Sequence, residues 1–170
     1  MITRATVEDI SALNNLVNSA YRGESSKKGW TTEADLLGGI RTSEKGLLET
    51  IQTPKTSILK FSEEGEILGC VMLSVKENAL YLGMLTVSPE LQGSGIGKKL
   101  LKFAEIFAQE NGIKKIEITV ISIRLELIAW YERHGYVKTG ETKPFPMNNP
   151  DFGEAKQHLE FIVMEKVITV

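Results

Sequence analysis

At 170 residues, the chain is most simply one domain, 1–170, which is long enough to bury most of its apolar surface without disulfides or metals. Its net charge of −2 and pI near 5.8 argue against a protein devoted to nonspecific nucleic-acid binding, so we expect no nucleic-acid partner. The single cysteine and the two separated histidines, His134 and His158, form no cluster of metal ligands, and we expect no metal site.

The first residues enter a strand-like segment directly, without a charged and apolar leader. No apolar run approaches the roughly 20 residues that are needed to cross a bilayer. We therefore expect a soluble, cytoplasmic protein without a membrane partner.

Helical periodicity dominates the first third of the chain. Thr6 and Asp9 can form a capping box for a helix with the apolar residues Ile10, Leu13, Val17 and Ala20. After a polar interruption, a second helix is predicted from Thr31 or Thr32, with Leu36, Leu37 and Ile40 on its apolar face. A third is predicted from Ser43, with Leu47, Leu48 and Ile51.

The periodicity then changes to that of strands. Segments 57–61, 67–75 and 79–87 are apolar and β-branched, and tight polar turns separate them, which predicts an antiparallel meander. Cys70 lies in the second of these segments, where a small buried thiol is expected rather than a nucleophile.

A glycine-rich loop, Gln92 to Lys98, follows the third strand and opens an amphipathic helix that ends at Asn111 and Gly112. Glycines allow a backbone to approach a ligand closely, and the free N–H groups of a helix start attract anions, so the loop predicts a phosphate cradle. It is not a P-loop, because Gln92 and Lys99 stand where glycine and a hydroxyl residue are required. A dinucleotide fingerprint fails as well, since no Gly-x-Gly-x-x-Gly spacing is present.

The remaining pattern predicts a strand at 115–121, a helix at 125–134 ended by Gly135, and strands at 136–142 and 159–167. Residues 143–153 read as a surface loop that is longer than most connections, as functional loops often are.

The Gln-x-x-Gly-x-Gly pattern, the order of elements and the segment Ala129 to Tyr136 together resemble the GNAT superfamily of N-acetyltransferases. The resemblance spans nearly the whole chain. It implies an α/β fold with a mixed, mostly antiparallel central sheet flanked by helices. It also implies acetyl-CoA as acyl donor and direct transfer of the acetyl group to a primary amine of a small molecule or peptide.

The same resemblance assigns roles to residues. Tyr131 would be the general acid, because a phenol of pKa about 10 can protonate a departing thiolate whose conjugate acid has a pKa of about 8.5. Leu85 and Val87 would offer backbone contacts to the pantetheine arm of the coenzyme. The pyrophosphate would bind the loop residues Gln92, Gly93, Ser94, Gly95, Ile96, Gly97 and Lys98.

Several points stay open from sequence. Glu33 or Glu117 could accept the proton of the amine, but each is more often a cap or an ion pair, and we name no base. Arg124 and Leu127 depart from the asparagine and the small residue that many relatives carry there. Tyr21 and Trp30 could form a wall for the acceptor, which stays unidentified.

Two further alternatives concern the whole protein. A noncatalytic acyl-CoA sensor on the same fold would keep the glycine loop without needing Tyr131. A longer acyl group or a hydroxyl acceptor is also compatible with the pattern. The final strand, if it is exposed, could pair across a homodimer.

Overall fold

A computed structural model describes residues 1–22, 32–34, 37–38, 41–146 and 154–169. Its helices are α1 (Ile10–Tyr21), α2 (Glu44–Gln52), α3 (Ile96–Glu110) and α4 (Leu125–Arg133). Its strands are β1 (Ile2–Arg4), β2 (Leu37–Gly38), β3 (Thr56–Glu63), β4 (Glu66–Val75), β5 (Leu80–Val87), β6 (Lys115–Ile121), β7 (Val137–Pro144), β8 (Glu154–Ala155) and β9 (Glu160–Val167). None of the described helices is long and apolar enough to span a membrane.

Seven strands form the central sheet, in the order β1-β3-β4-β5-β6-β9-β7. All neighbours in it are antiparallel except β5 and β6, which run parallel. The predicted mixed, mostly antiparallel sheet and its meander of β3, β4 and β5 are therefore confirmed. Strands β2 and β8 form a separate antiparallel pair.

The parallel strands β5 and β6 are joined only at their beginnings. Their register pairs Leu80 with Ile116 and Tyr81 with Glu117, after which the two strands separate. On the other side of β5, the pairing with β4 is interrupted by a register shift, and Met84 adopts a positive φ of 53°. The second half of β5 therefore faces a gap in the sheet, where its backbone groups are accessible to a ligand.

The two large apolar clusters lie on opposite faces of the sheet. Neighbouring residues Ile58 and Leu59 on β3 belong to different clusters, as the alternation of side chains along a strand requires. One cluster includes Leu100 and other residues of α3 and α4, and the second packs α1 and α2 on the sheet. Cys70 belongs to the second cluster and is fully buried, as predicted.

Local signals at helix starts are confirmed. The carboxylate of Asp9 accepts a hydrogen bond from the backbone N–H of Thr6 at 2.8 Å, which forms the predicted capping contact before α1. The hydroxyl of Ser43 accepts from the N–H of Gly46 at 3.0 Å and so caps α2.

Two local predictions are wrong. Leu37 and Gly38 are not helical, because they pair as a strand with Ala155 and Glu154, a partner segment far along the chain. The loop predicted from Lys143 begins later, since β7 continues to Pro144 and pairs there with Glu160. Strand β7 lies at the edge of the sheet, where proline is tolerated.

Candidate functional site

The glycine loop connects β5 to α3 through a short 3-10 turn, Pro89–Leu91. Gly93 and Gly95 have φ values of 91° and 92°, a region that side chains disfavour, and Gly95 is the residue that caps α3. The first helical hydrogen bond runs from the N–H of Lys99 to the carbonyl of Gly95 at 3.1 Å. The N–H groups of the first helical residues, 96–98, therefore have no acceptor within the helix and point out of its start, as an anion site requires.

Two contacts fix this loop against its surroundings. The side-chain amide of Gln92 donates to the backbone carbonyl of Val87 at 3.1 Å, which fastens the loop to the end of β5. A Cβ atom on Gly97 would lie 3.3 Å from Trp130 on α4, so glycine allows α3 to approach α4 closely. The loop is thus held in position by this chain's own residues.

A cavity of about 620 Å³ lies between the glycine loop, the second half of β5 and α4; we call it the donor cavity. Among the predicted site residues, it brings together Leu85, Val87, Gln92, Gly93, Gly95, Ile96, Gly97, Lys98 and Tyr131. Ser94 belongs to the loop but is not among the described residues that line the cavity. Lys98 and Arg133 add positive charge to the lining.

Tyr131 lies at the inner end of the donor cavity. Its side chain is 6% exposed and makes edge-on ring contacts with Trp130 and Tyr136, at centroid distances of 5.1 and 5.4 Å. Burial, with a smaller effect of Tyr21 and Tyr136, raises the pKa of Tyr131 well above its usual value of 10. The phenol therefore stays protonated at neutral pH and is available there as a hydrogen-bond donor.

A second cavity, of about 200 Å³, also has Tyr131 in its lining; we call it the acceptor cavity. Both cavities are lined by Tyr21, Leu85, Leu127 and Tyr131. A group bound where the two cavities share these residues could be reached from the donor cavity and from the acceptor cavity. The arrangement therefore allows a donor and an acceptor to meet beside these four residues, one of which is Tyr131.

The acceptor cavity contains a buried cluster of ion pairs. Glu33 contacts Arg22 at 2.9 Å through one carboxylate oxygen and Arg124 at 3.2 Å through the other, and all three side chains are less than 10% exposed. Burial lowers the pKa of Arg22, although the neighbouring Glu33 opposes this effect. Because both oxygens of Glu33 accept from guanidinium groups, its observed role is that of an ion-pair centre.

The other carboxylate considered as a base, Glu117, is also paired. Its Oε1 lies 3.8 Å from Nζ of Lys143, and both side chains are partly exposed. Trp30, considered as an acceptor wall with Tyr21, lies outside the described residues, whereas Tyr21 does line both cavities.

Sequence reasoning missed Arg22 and Arg41 and noted Arg124 only as a departure from a pattern. These arginines come from three separate segments, and no spacing relates them. It also missed that the Tyr21 hydroxyl donates a hydrogen bond to the carbonyl of Leu85. A charged residue directly after an amphipathic helix, as Arg22 is, gives too weak a signal to predict a buried cluster.

Cys70 does not take part in either cavity. It is fully buried, and its Sγ lies 3.9 Å from the carbonyl of Met84. Burial raises the pKa of the Cys70 thiol to about 12. No group of three or more potential metal ligands occurs within the described ranges.

Comparison with known proteins identifies a common family. Residues 12–136 match the model of the acetyltransferase (GNAT) family. An amino-acid acetyltransferase from Ralstonia nicotianae is 30% identical over 141 residues, which is 80% of this chain but 26% of that protein. N-acetyltransferase 8B from Homo sapiens is 27% identical over 123 residues and is matched over 53% of its length. The chain thus spans about half or less of these relatives.

Solved structures agree in fold. The ribosomal-protein-S18-alanine N-acetyltransferase from Escherichia coli has a TM-score of 0.73 at 17% identity, covering 100% of this chain and 94% of that one. The PaiA N-acetyltransferase from Thermoplasma acidophilum, solved in complex with coenzyme A, has a TM-score of 0.69 at 20% identity, covering 98% of both chains.

Proposed function

Since the chain belongs to the GNAT family of acetyltransferases, we propose that it transfers an acetyl group from acetyl-CoA to a primary amine by direct attack in a ternary complex. The observation that carries the proposal is the meeting of two cavities at Tyr131, Tyr21 and Leu85. A cytoplasmic location, a single domain and a homodimer stay predictions.

Acetyl-CoA would occupy the donor cavity. Its pyrophosphate would lie on the N–H groups at the start of α3, with Lys98 nearby, since a helix start favours negative charge. The pantetheine amides would pair with backbone groups of Leu85 and Val87 in the gap beside β6. The carbonyls of these two residues already accept side-chain hydrogen bonds from Tyr21 and Gln92, but each carbonyl has a second lone pair.

The proposed reaction needs few protein groups. The neutral amine attacks the thioester carbon, its C–N bond forms, and the C–S bond breaks as the thiolate leaves. The Tyr131 hydroxyl donates a hydrogen bond or a proton to the departing sulfur and, after a proton transfer, takes a proton back from solvent, while the amine loses its proton to solvent or buffer. Most of the rate enhancement would come from positioning the two substrates together. We assign no residue as general base.

A noncatalytic acyl-CoA sensor is the alternative, and it finds no support among the relatives, whose names denote acetyltransferases. The proposal names acetyl, and not a longer acyl group, as the group that is transferred. A comparison of acyl-CoA chain lengths in the assay below separates acetyl from longer donors.

The test is an acetyl-CoA-dependent thiol-release screen of polyamines, amino acids, aminoglycosides and peptide N-termini. With an active acceptor, Tyr131→Phe should lower kcat by about 100-fold, which is typical of a lost general acid, and change the KM for acetyl-CoA little. Tyr136→Phe is a matched control, because its hydroxyl is buried beside Tyr131, has no partner within the described part of the chain and lines neither cavity.

Unchanged kcat in Tyr131→Phe would remove the acid role. Tight acetyl-CoA binding without turnover of any amine would instead favour the sensor. Equal losses in Tyr131→Phe and Tyr136→Phe would indicate a general packing effect of the ring cluster.

A further inference from the structure

The acceptor cavity is lined by arginine side chains from three separate segments of the chain. Among the described residues that line it, the charged side chains are Arg22, Arg41, Arg124 and Glu33, which is three guanidinium groups against one carboxylate. Charged groups are rarely kept in a small, partly buried cavity unless they pair with one another or with a ligand. Among the described residues, Glu33 pairs with Arg22 and Arg124, whereas no described carboxylate pairs with Arg41.

Glu33 lies between Arg22 and Arg124 and pairs with both. Its Oε1 accepts from Nη2 of Arg22 and its Oε2 from Nη1 of Arg124. The backbone N–H of Glu33 also donates to the carbonyl of Tyr21 at 2.8 Å, which fixes the glutamate at the end of α1. This cluster is buried and forms one wall of the acceptor cavity.

Arg41 completes this wall and is held in place by α1. The side-chain oxygen of Asn18 accepts from the backbone N–H of Arg41 at 2.7 Å and from that of Thr42 at 3.0 Å. The guanidinium group then lies over the ring of Tyr21, 5.6 Å from its centroid. An arginine stacked in this way is pre-organised, so less conformational entropy is lost when it binds a ligand.

The Tyr21 side chain contacts both Arg41 and the backbone of Leu85, a residue that lines both cavities. Its ring lies under Arg41, while its hydroxyl donates to the Leu85 carbonyl at the junction of the two cavities. A group bound by Arg41 would therefore lie at about the length of a tyrosine side chain from the position where the amine attacks the thioester.

We infer that the acceptor is a small amine that carries a carboxylate close to its amino group, and that Arg41 binds this carboxylate. This inference rests on the proposed acetyl transfer and adds the chemical class of its acceptor. Guanidinium groups match carboxylates in geometry and charge. The cavity of about 200 Å³ is smaller than the roughly 300–1,000 Å³ typical of sites for drug-sized ligands, which suits an acceptor of amino-acid size.

The experiment compares matched acceptors in the thiol-release assay: free amino acids, their carboxamides, the corresponding decarboxylated amines and aminoalkylphosphonates. The wild-type protein should favour the acid over its amide by about 10- to 100-fold in kcat/KM, as expected for a charge-assisted hydrogen bond. Equal kcat/KM for acid and amide would overturn the inference. A preference for the phosphonate over the acid would overturn the choice of carboxylate.

Arg41→Gln should reduce kcat/KM for the acids by about 10- to 100-fold, mainly through KM, and change that for the amides by less than about threefold. Arg4→Gln is the matched control, because Arg4 is exposed on β1 at the edge of the sheet. An Arg41→Gln protein that keeps the preference of the wild type for acids would contradict the role of Arg41. Equal losses for acids and amides would contradict it as well.

A binding measurement separates this inference from the proposed function. If no amine is acetylated, the proposed function fails, and calorimetry on the coenzyme A complex then compares an N-acetylamino acid with its amide. Preferential binding of the acid, lost in Arg41→Gln, would support a carboxylate site without catalysis. Equal or absent binding of the two would overturn the inference.

Discussion

The hydroxyl of Tyr21, at the end of α1, donates a hydrogen bond to the backbone carbonyl of Leu85 on β5. Tyr21 belongs to the apolar cluster on one face of the sheet and Tyr131 to the cluster on the other face, so α1 and α4 approach the second half of β5 from opposite faces. Burial raises the pKa of Tyr21, although Arg41 opposes the shift, and the hydroxyl stays a donor at neutral pH. One side chain thus connects the wall of the acceptor cavity to the strand that lines the donor cavity.

Tyr21→Phe and Tyr131→Phe should differ in their effect on stability. Removal of the Tyr21 hydroxyl deprives the Leu85 carbonyl of its donor and should lower the free energy of unfolding by about 1 kcal/mol. The Tyr131 hydroxyl has no hydrogen-bond partner among the described residues, and its removal should change that free energy by less than about 0.5 kcal/mol. Urea unfolding of both variants measures the difference. Equal destabilisation would mean that the Tyr21 bond contributes nothing to stability.

The glycine loop and α3 are predictable because their signals are local. Gly95 permits the left-handed turn before the helix, the apolar stripe from Ile96 sets its period, and Asn111 and Gly112 end it. The strands of the meander are predictable for the same reason. The alternating apolar residues of each strand and the turn residues that bound it lie within a few positions of each other. The placement of Tyr131 beside the loop came from family resemblance, and burial explains why its phenol stays protonated.

The acceptor side of the site could not be predicted in this way. Arg22, Arg41 and Arg124 meet only because α1, the segment before α2 and the start of α4 converge on one cavity. The pairing of Leu37 with Ala155 likewise joins segments that are distant in sequence. Such contacts depend on the tertiary fold, and the helical pattern at Leu37 is overridden because a strand partner is available there.

Gly95→Ala should weaken acetyl-CoA binding more than it weakens the fold. The substitution places a side chain at a φ of 92°, which should cost about 1 kcal/mol of stability, and it disturbs the N–H groups that would hold the pyrophosphate. Gly65→Ala is a matched control: its φ is 80°, its Cβ would also meet no atom within 4 Å, and it lies in the turn between β3 and β4.

Calorimetry with acetyl-CoA should show a Kd about tenfold higher for Gly95→Ala, equivalent to about 1.4 kcal/mol, and an unchanged Kd for Gly65→Ala. Thermal unfolding should show similar losses in both variants. If both proteins bind acetyl-CoA like the wild type, the loop does not form the pyrophosphate site.

Cys70→Ala should retain acetyl transfer. The thiol is fully buried, lines neither cavity and has its pKa raised to about 12, so it stays protonated at pH 8 and cannot act as a nucleophile. In the wild-type protein, a thiol reagent at pH 8 should react with Cys70 only after unfolding. Loss of acetyl transfer in a well-folded Cys70→Ala protein would instead indicate an acetyl-cysteine intermediate.

Glu33→Gln should be the most destabilising of these substitutions. It removes the carboxylate that pairs with the buried guanidinium groups of Arg22 and Arg124. Removal of one partner from a buried ion pair should lower the free energy of unfolding by about 3 kcal/mol. Glu165→Gln is the matched control, because Glu165 pairs with Lys115 at 3.4 Å with both side chains about one-third exposed, and such pairs contribute about 1 kcal/mol or less. Urea unfolding of both variants should show this difference. If the two losses are equal, the ion pairs around Glu33 contribute no more to stability than a solvent-exposed pair does.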